Sequence, residues 1–160
     1  MTIQIGDRLP NITIKQVTPS GTQDISTESL FKGKTVALFA VPGAFTPVCT
    51  TVHLPGFNQQ MAQFKDKDVV VMCLSVNDPF VMEAWGKSAG SHPDIAFLAD
   101  WNAEFTKAVG LTLDGSGAGL GIRSLRYGMV VKDGVVTTLH VEPSPGQCDL
   151  SSADALLKAL

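Results

Sequence analysis

The chemistry in this sequence centres on Cys49, which ends the stretch VPGAFTPVC. The chain has only two other cysteines, Cys73 and Cys148, and it contains no C-x-x-C pair. Thr46 is a favourable N-cap residue for a helix, and Pro47 suits the first helical position. The spacing therefore predicts that Cys49 lies in the first turn of a helix.

The first turn of a helix favours a negatively charged sulfur. Free backbone N–H groups and the positive end of the helix dipole both lie there and stabilise the thiolate, the nucleophilic form of cysteine. A thiolate that attacks an oxygen or acyl group also needs donors for the leaving charge. Thr46 offers a hydroxyl one turn earlier, and either Arg123 or Arg126 adds a positive charge if the fold brings it near. The alternative is that Cys49 is a buried structural residue.

Buried strands alternate with helices along the chain, which is typical of an α/β fold. Near-continuous apolar runs suit strands buried on both faces, as in parallel sheets. Seven strands are predicted: Asn11–Val17, Gln23–Ser26, Thr35–Val41, Val69–Val76, Ile95–Ala99, Tyr127–Val131 and Val135–Val141. The first two form an N-terminal β-hairpin extension, and the last two form a hairpin around Lys132-Asp133-Gly134.

Five helices are predicted: Ser26–Phe31, Pro47–Lys65, Pro79–Ala89, Trp101–Val109 and Ser152–Leu160. Pro55-Gly56 is expected to kink or break the second helix near Leu54. The third helix has Phe80, Met82 and Trp85 on its apolar side. The order predicts one domain over residues 1–160 with a thioredoxin-like fold, a mixed sheet flanked by helices, although periodicity alone also allows a flavodoxin-like sheet.

Several classes of function have no support in the composition. The net charge is -3 without a long basic stretch, so we expect no nucleic-acid partner. No apolar run reaches the ~20 residues of a membrane helix, and the N-terminus lacks a signal-peptide core, so we expect a cytoplasmic protein without a membrane partner. The cysteines and histidines do not cluster, so we expect no metal site. Leu111–Gly121 is a Gly-rich loop that lacks the G-x-G-x-x-G pattern, and we expect no cofactor.

His53 follows Cys49 by one helical turn and suggests an alternative chemistry. A Cys-His pair is typical of acyl-transfer enzymes. No Asp or Asn that would orient His53 is identifiable, so we favour a histidine that packs beside the site. A Cys-His hydrolase and a non-catalytic thioredoxin-like binding or chaperone module are the competing hypotheses.

The motif P-x-x-x-T-x-x-C, from Pro42 through Thr46 to Cys49, resembles the active-site motif of peroxiredoxins. Further blocks resemble the type II, atypical two-cysteine subfamily: HLPGF at 53–57, LSVND at 74–78, AWG at 84–86, RYGMVVKDG at 126–134 and VEP at 141–143. The resemblance extends over nearly the full chain. It implies a thioredoxin fold and a thiol-dependent peroxidase for hydrogen peroxide and organic hydroperoxides.

The resemblance also implies roles for individual residues. Cys49 would be the peroxidatic cysteine, whose thiolate attacks the peroxide and becomes a sulfenic acid. Thr46 would hydrogen-bond the peroxide, Arg126 would stabilise the thiolate and the peroxide oxygens, and Pro42 would shield the sulfur from water. Type II members often pair, so a homodimer is expected.

Three routes for resolving the sulfenic acid follow from the resemblance. Cys148 lies where some members carry a resolving cysteine, in a segment that Pro143 and Pro145 make loop-like, and it is the preferred candidate. Cys73 matches a recurring cysteine but lies inside a predicted buried strand, where an inert core thiol is favoured. The third route is direct attack by an external thiol, from thioredoxin or from glutaredoxin with glutathione.

Overall fold

A mixed β-sheet forms the centre of the computed structural model, which describes all residues from Met1 to Leu160. The chain contains nine strands: β1 (Thr13–Thr18), β2 (Gly21–Ser26), β3 (Thr35–Val41), β4 (Val69–Ser75), β5 (Ala96–Ala99), β6 (Thr112–Asp114), β7 (Ile122–Ser124), β8 (Tyr127–Lys132) and β9 (Val135–Val141). Seven of them form one sheet in the order β2-β1-β5-β4-β3-β8-β9, and β6 and β7 form a separate hairpin.

The centre of the sheet is parallel and its edges are antiparallel. Strand β4 pairs in parallel with β3 and β5, whereas β8 and β1 run antiparallel to β3 and β5 respectively. The predicted α/β thioredoxin-like fold with a mixed sheet is thus confirmed. The N-terminal hairpin, predicted as an extension, is an integral part of this sheet because β1 bonds directly to β5.

Helices cover both faces of the sheet. They are α1 (Thr27–Phe31), α2 (Leu54–Asp66), α3 (Pro79–Ser88), α4 (Glu104–Val109) and α5 (Ala153–Lys158). One core, with Cys49, Phe57 and Trp85 among its members, lies under α2, α3 and α5. The other includes Phe31 and Phe105 and lies under α1 and α4. No helix is long and apolar enough to cross a membrane.

The helix that carries Cys49 contains a π-helical turn, Cys49–His53, immediately before α2. The Leu54 N–H donates to the Cys49 carbonyl, five residues earlier. Pro55 follows and has no N–H, and in an α-helix its ring would clash with the carbonyl of Thr51. The wider turn relieves this clash while the helix continues. The irregularity predicted near Leu54 is therefore a π-helical turn that includes the cysteine.

Two helix predictions were wrong in detail. Helix α4 begins at Glu104, not Trp101, because the Asp100 carboxylate accepts hydrogen bonds from the Phe105 and Thr106 N–H groups and holds the chain in a turn first. Phe80 is 77% exposed and does not lie on the apolar side of α3. It precedes the buried Met82 by two positions, which places it roughly 200° around the helix.

The Gly-rich segment is more ordered than the loop that the sequence predicts. Its ends pair as strands β6 and β7, and a short 3₁₀ turn, Ser116–Ala118, lies between them. Gly119 and Gly121 both have positive φ angles, which glycine adopts without steric cost. The segment is therefore a hairpin whose second strand leads directly towards Arg126.

Candidate active site

The site lies at the carboxyl end of β3, where the chain turns before the Cys49 helix. Asn77, just beyond β4, holds this turn: its Oδ1 accepts the Ala44 N–H at 3.0 Å and the Ser75 hydroxyl at 2.5 Å. Carboxyl ends of neighbouring parallel strands are the usual position of ligand crevices in α/β sheets. Sequence reasoning did not identify Asn77 as a residue of this region, although LSVND was among the recognised blocks.

The Thr46 side chain faces the sulfur of Cys49. Its Oγ1 lies 2.9 Å from Sγ and 2.6 Å from the Gly43 carbonyl oxygen. The Thr46 carbonyl accepts the Thr50 N–H at 3.1 Å, so the backbone of Thr46 begins the helix as predicted. Because the backbone carbonyl makes this helix contact, the Thr46 hydroxyl is available to the sulfur. The Cys49 side chain has no exposed surface.

Arg126 supplies the second donor to the sulfur. Its Nη2 lies 3.1 Å from Cys49 Sγ, and the side chain is 2% exposed. Nε and Nη2 donate to the Pro145 carbonyl at 3.3 and 3.1 Å, and Nη1 contacts His53 Nδ1 at 2.9 Å. No carboxylate forms an ion pair with this guanidinium. The sulfur of Cys49 is therefore the only one of its acceptors that can become anionic.

Arg123 occupies a different position. Its Nη1 donates to the Pro42 carbonyl at 3.3 Å, and its Nε donates to the Leu120 carbonyl at 3.0 Å. A Cβ atom on Gly43 would come within 2.7 Å of Arg123 Nη1, so any larger residue there would displace the guanidinium. Of the two arginines left open by the sequence, Arg126 contacts the sulfur, and Arg123 ties the β6–β7 hairpin to the buried Pro42.

His53 is a neutral hydrogen-bond acceptor for Arg126. Its Nε2 lies 2.9 Å from the Ser151 carbonyl oxygen, an acceptor, so Nε2 carries the proton. Nδ1 then accepts from Arg126, which has only donors. Burial, reinforced by the positive charge of Arg126, lowers the pKa of His53 to about 3. Sequence reasoning placed His53 beside the site but missed this contact, and the structure does not support a Cys-His pair because neither ring nitrogen bonds the sulfur.

A loop of residues 143–150 closes the far side of the site. Glu142, just before the loop, accepts hydrogen bonds from the Ser151 N–H at 2.7 Å and from the Ser151 hydroxyl at 2.5 Å. Burial acts to raise the pKa of Glu142, but hydrogen bonds from Ser151 and from the Leu150 and Asp149 backbone outweigh it and lower the pKa. Hydrogen bonds therefore hold this loop at two points: Ser151 bonds Glu142 at its base, and Arg126 bonds the Pro145 carbonyl within it.

The remaining cysteines differ in environment. Cys148 lies in this loop and is half-buried, and burial raises the pKa of its thiol. Cys73 lies inside β4 without exposed surface, and burial raises the pKa of its thiol well above the ordinary value. All three cysteines are free thiols in this structure.

The neutral state of buried His53 predicts a pH dependence of stability. The unfolded chain binds a proton on His53 below pH 6.5, whereas the folded chain does so only near pH 3. The free energy of unfolding therefore falls with decreasing pH inside this window, by about 1.4 kcal/mol per pH unit from this group. Urea unfolding from pH 6 to 4 should show a shallower decline for His53→Asn than for wild type. His92→Gln is the matched control, and equal slopes in wild type and His53→Asn would contradict the prediction.

Comparison with known proteins places the whole chain in one family. The Redoxin family model matches residues 4–157. Peroxiredoxin-2B of Arabidopsis thaliana is 46% identical over 160 residues, which cover 99% of this chain and 98% of the relative. The chloroplastic Peroxiredoxin-2E of the same plant is also 46% identical, and the match covers 99% of this chain and 69% of the relative.

Solved structures agree with this result. The reduced Prx3 of Vibrio vulnificus in complex with H₂O₂ superimposes with a TM-score of 0.92 at 47% identity, and the match covers 99% of both chains. The oxidised form of that protein superimposes with a TM-score of 0.89 at 48% identity. The resemblance inferred from the motifs is confirmed: this chain belongs to the peroxiredoxin family and is a thiol-dependent peroxidase.

Proposed function

We propose that Cys49 is the peroxidatic cysteine of this enzyme, within one domain of residues 1–160, and that hydrogen peroxide and organic hydroperoxides are its substrates. One observation carries the proposal: Cys49 Sγ lies between Thr46 Oγ1 at 2.9 Å and Arg126 Nη2 at 3.1 Å. Thiolate is favoured because the buried guanidinium has no other anionic acceptor, and charge-assisted hydrogen bonds are roughly twice as strong as neutral ones. The similarity to a Prx3 in complex with H₂O₂ supports the same small peroxide as a substrate.

The proposed reaction at this sulfur needs no cofactor, because the thiolate and the peroxide supply all the atoms and electrons except one proton. The thiolate attacks one peroxide oxygen, an S–O bond forms, and the O–O bond breaks. Sulfur is oxidised to a sulfenic acid, and the peroxide is reduced. The departing oxygen takes up a proton and leaves as water from hydrogen peroxide, or as an alcohol from an organic hydroperoxide. Charge moves from the sulfur to this departing oxygen, so donors aimed at the reacting atoms lower the barrier.

Thr46, Arg126 and Pro42 have complementary roles in this proposal. The Thr46 hydroxyl has one proton and two neighbours, Cys49 Sγ and the Gly43 carbonyl, so it can donate to one while its oxygen accepts from a peroxide O–H. Arg126 holds a permanent positive charge beside the sulfur and the developing oxyanion. Pro42 is buried and presents no N–H, and its proposed role is to shield the sulfur from water.

Replacing Arg126 tests the role of the guanidinium. Arg126→Gln should lower the second-order rate of oxidation by hydrogen peroxide by about 10²- to 10³-fold, because a preorganised charged donor is lost. Arg123→Gln, the matched control, loses hydrogen bonds to the Pro42 and Leu120 carbonyls but no contact with the sulfur, and it should slow oxidation by less than about tenfold. Stopped-flow fluorescence of the reduced protein measures both rates. Equal losses in the two variants, with folding intact by circular dichroism, would contradict the special role of Arg126.

We propose further that Cys148 resolves the sulfenic acid within the same chain. Its thiolate attacks the Cys49 sulfur, a disulfide forms, and the hydroxyl leaves as water. The support is positional: Cys148 lies three residues beyond Pro145, whose carbonyl accepts two hydrogen bonds from the arginine that contacts Cys49. Cys73 is less suited because it lies inside a strand and burial raises its thiol pKa. The disulfide also requires local unwinding at Cys49, which has no exposed surface.

Intact mass after one equivalent of hydrogen peroxide, without added thiol, tests this route. Wild type and Cys73→Ser should each lose two hydrogens as the internal disulfide forms, whereas Cys148→Ser should gain oxygen. Steady-state turnover of Cys148→Ser with thioredoxin should also fall. A wild-type protein that only gains oxygen would assign resolution to an external thiol. Unchanged turnover of Cys148→Ser would exclude Cys148, and loss of two hydrogens in that variant would assign the role to Cys73.

Thioredoxin, or glutaredoxin with glutathione, is the proposed reductant, because a disulfide or sulfenic acid needs an external thiol to complete the cycle. Coupled assays with purified thioredoxin and with glutaredoxin and glutathione compare the two donors.

We propose a cytoplasmic location, which suits three cysteines that are all free. Cell fractionation tests the compartment.

The proposed homodimer has support from exposed aromatic side chains near the site. Phe45 is 53% exposed and Phe80 is 77% exposed. The hydrogen bond from the Ala44 N–H to Asn77 brings the turn that carries Phe45 next to the start of the helix that carries Phe80. Large exposed aromatic side chains are enriched at protein interfaces. Light scattering of the reduced protein should give twice the chain mass, and a monomer at all concentrations tested would contradict pairing.

A further inference from the structure

We propose that His53 is a positioning residue for the peroxidase reaction: its Nδ1 accepts a hydrogen bond from Arg126 Nη1 and thereby aims Arg126 Nη2 at the Cys49 sulfur. The inference rests on the proposed roles of Cys49 and Arg126. His53 itself does not touch the sulfur, because Nδ1 bonds Arg126 at 2.9 Å and Nε2 bonds the Ser151 carbonyl at 2.9 Å. Its effect on the reaction is exerted through the guanidinium.

The geometry of the guanidinium explains why this acceptor matters. Arg126 presents five N–H donors in a rigid planar fork. The Pro145 carbonyl accepts from Nε and Nη2 along one edge, and His53 accepts from Nη1 on the other side. Contacts on both sides of the fork define its plane, and that plane holds Nη2 3.1 Å from the sulfur. Without His53, Nη1 would lose an acceptor in a buried site, and the fork would be free to rotate about the Pro145 contact.

Histidine suits this position because one ring nitrogen donates a hydrogen bond and the other accepts one. Ser151 fixes the proton on Nε2 through its backbone carbonyl, which leaves the lone pair of Nδ1 for Arg126. Ser151 is itself held by two hydrogen bonds to Glu142. The imidazole also packs against the rings of Phe39 and Phe57, with centroid distances of 4.9 and 5.7 Å. Tautomer and ring orientation are therefore both fixed from the side opposite the arginine.

Substitutions at His53 distinguish a role as hydrogen-bond acceptor from a role in packing alone. His53→Asn keeps an oxygen acceptor in place of Nδ1 but is smaller, whereas His53→Leu fills the space without an acceptor. His53→Met is made in parallel, since a flexible side chain fits irregular cores and a folding failure of the leucine variant then leaves the test intact. Urea unfolding verifies that each variant is folded.

Two rates are measured for each variant: iodoacetamide alkylation of Cys49, followed on the Cys49 peptide by mass spectrometry, and single-turnover oxidation by hydrogen peroxide. We expect both rates to fall by about 10- to 100-fold in His53→Leu and His53→Met, the loss known for residues that orient metal ligands through a hydrogen bond, as His53 orients Arg126. His53→Asn should stay within about threefold of wild type, since a hydrogen-bond acceptor is retained. In an Arg126→Gln background, His53→Leu should cause no further loss, because the two residues act as a unit.

Three results would overturn the proposal: wild-type rates in folded His53→Leu or His53→Met, an equal loss in His53→Asn, or additive losses in the double variant. Failure of the proposed function is distinguishable from these, because alkylation needs no peroxide. If wild-type Cys49 is not oxidised by hydrogen peroxide, the peroxidatic role fails, and the alkylation rates still report whether His53 directs Arg126 to the sulfur.

Discussion

A guanidinium buried without a carboxylate is the constraint on which the rest of the site depends. Removing a charge from water costs several kcal/mol unless hydrogen bonds and a counter-charge offset it. Arg126 donates four hydrogen bonds, two to a single backbone carbonyl, one to a neutral imidazole and one to a sulfur. Two of the three acceptors, the Pro145 carbonyl and the His53 imidazole, carry no charge. In the mechanism proposed above, a Cys49 thiolate would supply the missing negative charge, so the buried cation and the reactive sulfur would stabilise each other.

This arrangement couples three segments that are far apart in sequence. The turn after β3 carries Thr46 to the sulfur, the start of β8 carries Arg126, and the loop of residues 143–150 contributes the Pro145 carbonyl. In the proposed cycle Cys49 becomes a sulfenic acid, so Arg126 would lose its anionic partner and keep its neutral acceptors. The attraction between the Cys49 helix and Arg126 would then weaken in the oxidation state in which, by the proposal, the sulfur leaves its pocket to be resolved.

The sequence predicted the framework of the site better than its internal contacts. Strand Thr35–Val41 was predicted with its observed bounds, and the motif from Pro42 to Cys49 correctly indicated a thiol at a helix start. These features are local, because apolar runs and capping residues act over a few positions. The choice between Arg123 and Arg126, the acceptor role of His53 and the Pro145 carbonyl depend on contacts across 19 to 98 residues. A backbone carbonyl has no signature in residue type, so such partners are visible only once the fold brings them together.

The π-helical turn links a local covalent constraint to the geometry of the site. Pro55 cannot donate a hydrogen bond, and the turn that accommodates it includes both Cys49 and His53. In a regular α-helix residues four apart lie about 40° from one another around the axis, and the extra residue of a π-turn changes this offset. Cys49 and His53 here contact two different nitrogens of the same guanidinium. In the proposed cycle, the segment that would open for resolution is thus the π-helical turn that precedes the proline.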